Sequence, residues 1–198
     1  MDMRTHRCFR SLRPGLVLAL LALVVVTSPL AGCATAARSP AMTARTSAVS
    51  GIPVPAALQR NIAVGAVSGG HDTNALWMSK VGNEEFERAL RDSLAAAGML
   101  AAGPGPGQYV LLADLQRLKQ PVFGFNMRVT AVVNYQLRER SSGMPVFQTE
   151  VTTPYTAEMS EAFLGVERLK LANEGAIREN IEHLILELVD SFGGALPP

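Results

Sequence analysis

Between residues 123 and 140 the chain alternates with a period of two, and this pattern constrains the fold more than any other stretch. Phe125, Met127, Val129, Ala131, Val133, Tyr135 and Leu137 fall on one parity. Asn126, Arg128, Thr130, Asn134, Gln136 and Arg138 fall on the other, with Val132 the only apolar intruder. Successive side chains of a strand point to opposite faces. The pattern therefore predicts a long strand with one buried face and one wet face. Such alternation belongs to an antiparallel sheet covered on one side, whereas a sheet covered on both sides reads as a continuous apolar run.

The flanking sequence supplies the rest of a small fold. Residues 61–67 read as a first strand, closed by Ser68-Gly69-Gly70. Asn83 stands as an N-cap before Glu84, Glu85 and Glu87, acids suited to the positive end of a helix. Phe86, Ala89, Leu90, Leu94 and Ala97 then recur at helical spacing up to Gly98. Residues 109–119 form a second strand. Ser141-Ser142-Gly143-Met144 turns the long strand back into a partner over residues 145–153, which Pro154 is expected to end. Ile177, Ile181, Leu184, Ile185, Leu188 and Phe192 make one apolar stripe on a last helix. Glu174 and Arg178 are placed as an i,i+4 pair on it. An earlier helical stretch over residues 166–173 joins it, with Gly175 marking a bend. The order β-α-β-β-β-α predicts an α+β fold: a largely antiparallel sheet with two helices packed on one face.

Ahead of this domain lies a different kind of sequence. Arg4, Arg7, Arg10 and Arg13 precede an apolar run over residues 16–26, broken by Thr27, Ser28 and Pro29, and small residues then lead to Cys33. This is the layout of a secretory signal peptide over residues 1–32. The uninterrupted apolar run is too short to span a bilayer. The ending Leu30-Ala31-Gly32-Cys33 resembles the lipobox of bacterial lipoproteins. That resemblance implies cleavage before Cys33 and acylation of Cys33, which makes the cysteine a membrane anchor. Ala34 follows it in place of an aspartate, which by resemblance to enterobacterial sorting implies the outer membrane. At the level of fold alone, the domain resembles small envelope-assembly lipoproteins and the auxiliary lipoproteins of ABC transporters.

Cleavage would leave 166 of the 198 residues. The four arginines and Asp2 are lost with the signal, so the whole-chain charge of +1 becomes −2. No strongly basic domain remains, which excludes a nucleic-acid partner. Cys8 is lost as well, leaving no intramolecular disulfide to support the fold. Residues 33–56 hold the lipidated cysteine and a stretch rich in Ala, Ser, Thr and Pro, expected to be a flexible linker. About twenty such residues reach roughly 70 Å extended or roughly 25 Å as a coil. Residues 57–198 are then a single periplasmic domain.

Catalytic chemistry finds little support. His71-Asp72, with Ser68 nearby, is a polar turn sequence. It carries the alternative reading, a periplasmic hydrolase, but lacks a nucleophile motif such as GxSxG. His183 sits on a polar helix face. Neither a metal-ligand pattern nor a phosphate-binding glycine loop is present, so no metal and no cofactor is expected. Binding has more material. Trp77 lies before the first helix. Phe123-Gly124-Phe125 opens the long strand, and Tyr155, Met159 and Phe163 lie in the link to the last helix. Large aromatics outside core stripes suit partner contacts. Arg128 and Arg138 share the wet face of the sheet, a candidate site for an anionic lipid. The sequence thus points to a non-catalytic, lipid-anchored binding or adaptor module. Its partner residues would be Trp77, Phe123, Phe163, Arg128 and Arg138, acting on an envelope protein.

Overall fold

The computed structural model describes residues 35–70, 80–103, 107–121 and 124–194. The proposed signal peptide, Cys33, His71, Asp72, Trp77 and Phe123 lie outside the described residues. Two short helical turns, α1 (Ser39–Met42) and α2 (Thr46–Val49), precede β1 (Ile62–Ser68). Then come α3 (Asn83–Ala96), β2 (Tyr109–Lys119), β3 (Met127–Glu139), β4 (Pro145–Ala157) and α4 (Gly165–Gly193). The strands form one sheet in the order β1-β2-β3-β4. β1 runs parallel to β2, as its crossover through α3 requires, and the other two pairings are antiparallel. The α+β class and the β-α-β-β-β-α order follow the sequence pattern.

The alternation in β3 sorts as its pattern dictates. Met127, Val129, Ala131, Val133, Tyr135 and Leu137 are buried, while Arg128 and Arg138 are exposed. α4 lies across β3 and β4, and α3 packs on β1, so both long helices cover the same face. A polar chain runs through this interface. The Tyr135 hydroxyl donates to Asn180 Oδ1 at 2.8 Å. Asn180 Nδ2 donates to Val151 O at 2.8 Å and to Thr153 Oγ1 at 3.0 Å, and Thr153 Oγ1 donates to Ala176 O at 2.9 Å. The Tyr135, Asn180 and Thr153 side chains, buried between sheet and helix, therefore each have a partner, which removes the penalty of burying them.

Several boundaries differ from expectation for physical reasons. β4 continues through Pro154, which stands opposite Thr130, and ends at Ala157. Proline is tolerated there because β4 is an edge strand, whose outward side has no ladder to break. Phe125 falls before β3 begins and is 80% exposed, so it does not share the core parity. Asn83 does not cap α3. Its Oδ1 accepts from the Gly70 amide at 2.8 Å, and Gly82 occupies the cap position. Gly175 makes no break in α4, which runs unbroken from Gly165 to Gly193. A Cβ there would fall on the Tyr155 ring, so the glycine lets helix and strand approach closely.

The largest correction concerns residues 35–56. They are packed onto the domain and do not form a flexible linker. Ala37, Met42, Ala44 and Val49 are buried in the common core. Helix side chains receive the backbone donors of this segment. Glu174 Oε1 accepts from Arg38 N at 2.9 Å, Ser93 Oγ from Ala44 N at 2.9 Å, and Glu182 Oε1 from Arg45 N at 2.8 Å. The described part of this segment accordingly belongs to the same compact unit as the sheet and helices. The segment supplies the second wall of α4. That is why Glu174 and Glu182 are buried beside the apolar stripe, while Asn173 Oδ1 accepts from Gln120 Nε2 at 2.8 Å. Glu174 pairs with Arg38 (3.4 Å) and not, as expected, with Arg178. Arg178 donates to Ala41 O at 3.2 Å and lies 5.5 Å over the Tyr155 ring.

Candidate functional site

Two surfaces outside the helix layer carry candidate binding residues. The first is the open face of the sheet. Its residues align in rows across the strands, because paired positions share a face. One row runs Ser68, Asp114, Asn134, Glu150, and the Ser68 hydroxyl donates to Asp114 Oδ1 at 2.7 Å. Neighbouring rows place Arg117 beside Val132 and Thr152, and Lys119 beside Thr130 and Pro154. Leu112 stands opposite Gln136, and Val110 opposite Arg138. Among the described residues no helix covers this face. Apolar side chains and charges of both signs are interleaved on it.

Arg128 and Arg138 are both exposed on this face, but the structure does not bring them together. They lie ten positions apart on one strand, about 33 Å. That exceeds the size of a single lipid headgroup, so the two cannot hold one between them. Arg138 Nε donates to Gln136 Oε1 at 2.6 Å. Arg128 instead shares a shallow depression with Lys119 and Thr130.

The second surface is one end of the molecule, where the β2–β3 and β4–α4 loops meet. Arg168 holds them. Its Nη1 donates to the carbonyls of Ala162 and Phe163, both at 2.7 Å, and its Nη2 lies 3.5 Å from Gly124 O. The Met159 amide reaches Asn126 Oδ1 at 3.4 Å. Arg168 itself is buried, and its charge serves loop carbonyls. On the outside of this clamp stand Phe163 at 84% exposure, Phe125 at 80%, Leu164 at 54% and Met159 at 45%. Phe163 was expected as a contact residue and is free to make contacts. Tyr155 is withdrawn from the group, since it caps the core between Gly175 and Arg178. Arg168 gave no sequence signal: an arginine in the first turns of a helix reads as a solvated residue. Phe125 was hidden by the parity of β3.

Electrostatic perturbation concentrates where the N-terminal segment meets α4. Burial alone would raise the Glu182 pKa. The Arg45 side-chain and backbone hydrogen bonds, with the charges of Arg45 and Arg178, outweigh burial and hold it below the ordinary carboxylate range. The same hydrogen bond and charge raise Arg45 further. Burial pushes the Tyr135 phenol well above its usual value. His183 is exposed on α4, as expected of a solvated helix residue. Among the described residues no group of three or more His, Cys, Asp or Glu side chains is placed to hold a metal ion. Among the same residues no helix is long and apolar enough to cross a membrane.

No family model matches the sequence, and no curated protein matches it. The fold does have solved relatives. A candidate lipoprotein from Caulobacter crescentus CB15 superposes with a TM-score of 0.52 at 16% identity, covering 72% of this chain and 96% of that one. The Xanthomonas campestris protein XCC0632, of the family DUF330, gives 0.51 at 14% identity, covering 68% and 86%. The domain is therefore an α+β domain whose fold is shared with that candidate lipoprotein and with XCC0632. The resemblance suggested by the sequence is met at the level of the fold.

Proposed function

We propose that this chain is a lipid-anchored lipoprotein of the bacterial envelope whose domain acts by binding an envelope protein. Leu30-Ala31-Gly32-Cys33 behind the arginine-rich and apolar stretch supports the anchor, and Ala34 supports the outer membrane with the domain in the periplasm. The observation that carries the binding role is the sheet face left open by the helices. Its mixture of Val110, Leu112 and Val132 with Asp114, Arg117, Lys119 and Glu150 has the character of a protein contact surface. It is too mixed in sign for a single anionic ligand.

Three measurements test this. Cys33→Ser should abolish palmitate incorporation, and continued labelling would refute the anchor. Sucrose-gradient fractionation with inner-membrane markers would refute the outer-membrane placement. For the binding role, a photo-crosslinker is placed at Val132 on the open face and, as control, at Leu186, exposed on α4. A discrete cross-linked envelope protein from position 132 only is the expected result. Equal yields from both positions would refute the open face as the binding surface.

A further inference from the structure

We propose that the end of the molecule bearing Phe125, Met159, Phe163 and Leu164 docks into the bilayer to which Cys33 is anchored, so that the domain lies on the membrane. This rests on the lipid-anchor reading above. The first support is the length of the tether. Ala37 is already buried, and its amide donates to Lys80 O at 3.1 Å. Cys33 is four residues away, at most about 14 Å of chain. A tether this short holds the domain at the surface.

The second support is where that tether joins. The N-terminal segment runs alongside α4 in the same direction, with Arg38 at Glu174, Ala41 at Arg178 and Arg45 at Glu182. Followed backwards, it heads for the start of α4. Arg168, which clamps the two apolar loops, is six residues before Glu174, about 9 Å along the helix. The described segment thus enters the domain at the end that displays the phenylalanines, away from the β3–β4 turn, and Cys33 is four residues before Ala37 in the sequence. Third, among the described residues these apolar side chains are exposed, on loops whose carbonyls Arg168 holds. Aromatic and aliphatic side chains on a fixed loop suit insertion at the headgroup boundary. Lys119 and Arg128 lie toward the same end and are exposed, which complements an anionic leaflet. Glu158 and Glu161 share the loop, but the Glu161 carboxylate turns back to accept the Glu158 amide at 2.7 Å.

The test uses the protein expressed from its full sequence, purified from membranes and reconstituted in phosphatidylcholine vesicles containing phosphatidylglycerol; Cys8→Ser keeps any uncleaved chain from being labelled at that position. An environment-sensitive fluorophore is attached at Phe163→Cys or, for comparison, at Ser141→Cys in the turn at the far end of β3. The label at 163 should shift to the blue and be quenched by spin-labelled lipid, while that at 141 stays water-like. Phe125→Ser should weaken the response at 163, with a loss of docking of about tenfold for one buried phenylalanine. Equal, water-like signals at 163 and 141 would overturn the proposal. A blue shift that appears without vesicles and grows with protein concentration would assign the patch to a second copy and also overturn it. Palmitate incorporation is measured on the same preparations. If it is absent while the label at 163 still responds to vesicles, the anchor fails and docking stands.

Discussion

Arg45 closes on Glu182 with three donors: its backbone amide to Oε1 at 2.8 Å, Nε to Oε1 at 3.0 Å and Nη2 to Oε2 at 2.8 Å. The carboxylate is nearly buried and the guanidinium is half exposed. The pair ties the segment ahead of β1 onto the last helix, 137 positions away in the sequence.

The first prediction follows from the direction of the Glu182 shift. Its folded pKa lies below the usual value of about 4.5, so the folded state binds the proton less readily than the unfolded chain. The stabilisation is complete above that value and is lost as pH falls through the folded pKa. Urea unfolding of wild type and Glu182→Gln should show wild type more stable at pH 7, by about 1–2 kcal/mol. The difference should shrink by pH 3. A difference that does not change with pH would mean that the charge on Glu182 contributes nothing.

The two faces of β3 should respond unequally to truncation. Val133 is buried against the helix layer, so Val133→Ala loses burial and leaves a cavity, at about 2–3 kcal/mol. Thr130 faces the open side, where the change to alanine should stay within about 1 kcal/mol. Equal losses in urea melts would show the open face to be covered in solution.

Tyr135→Phe should cost about 1–2 kcal/mol, because Asn180 Oδ1 is left buried without its donor. Asn180→Ala should cost more, since it frees Val151 O and Thr153 Oγ1 as well. A double variant losing no more than Asn180→Ala alone would show the two side chains acting as one unit.

Arg168→Met keeps most of the side-chain volume but leaves the Ala162 and Phe163 carbonyls without their donor, at about 1–3 kcal/mol. Cleavage by a protease specific for aromatic residues should rise at Phe163. Arg168→Lys should restore part of the protection, as one ammonium can reach one carbonyl. Unchanged cleavage in Arg168→Met would show that the loops hold their shape without the clamp.

The alternation of β3, the stripe of α4 and the acidic start of α3 were legible because each is a local period that fixes which face meets the core. The signal-peptide layout and Cys33 are contiguous in the sequence and lie outside the described residues. Tertiary structure alone decided the place of residues 35–56. Their small and polar side chains carry no periodic signal. They are ordered by three acceptors that distant helices supply, Ser93, Glu174 and Glu182, and by pockets for Met42 and Val49. It also decided that Pro154 stays in its strand, since only the sheet order makes β4 an edge, and that Phe125 faces outward. Arg128 and Arg138, joined by parity in the sequence, are separated by the length of the strand. Phe125 and Phe163, unrelated in the sequence, are brought to one end of the molecule by a buried arginine. A period determines a face, whereas the chain's return through three dimensions determines which faces and ends meet.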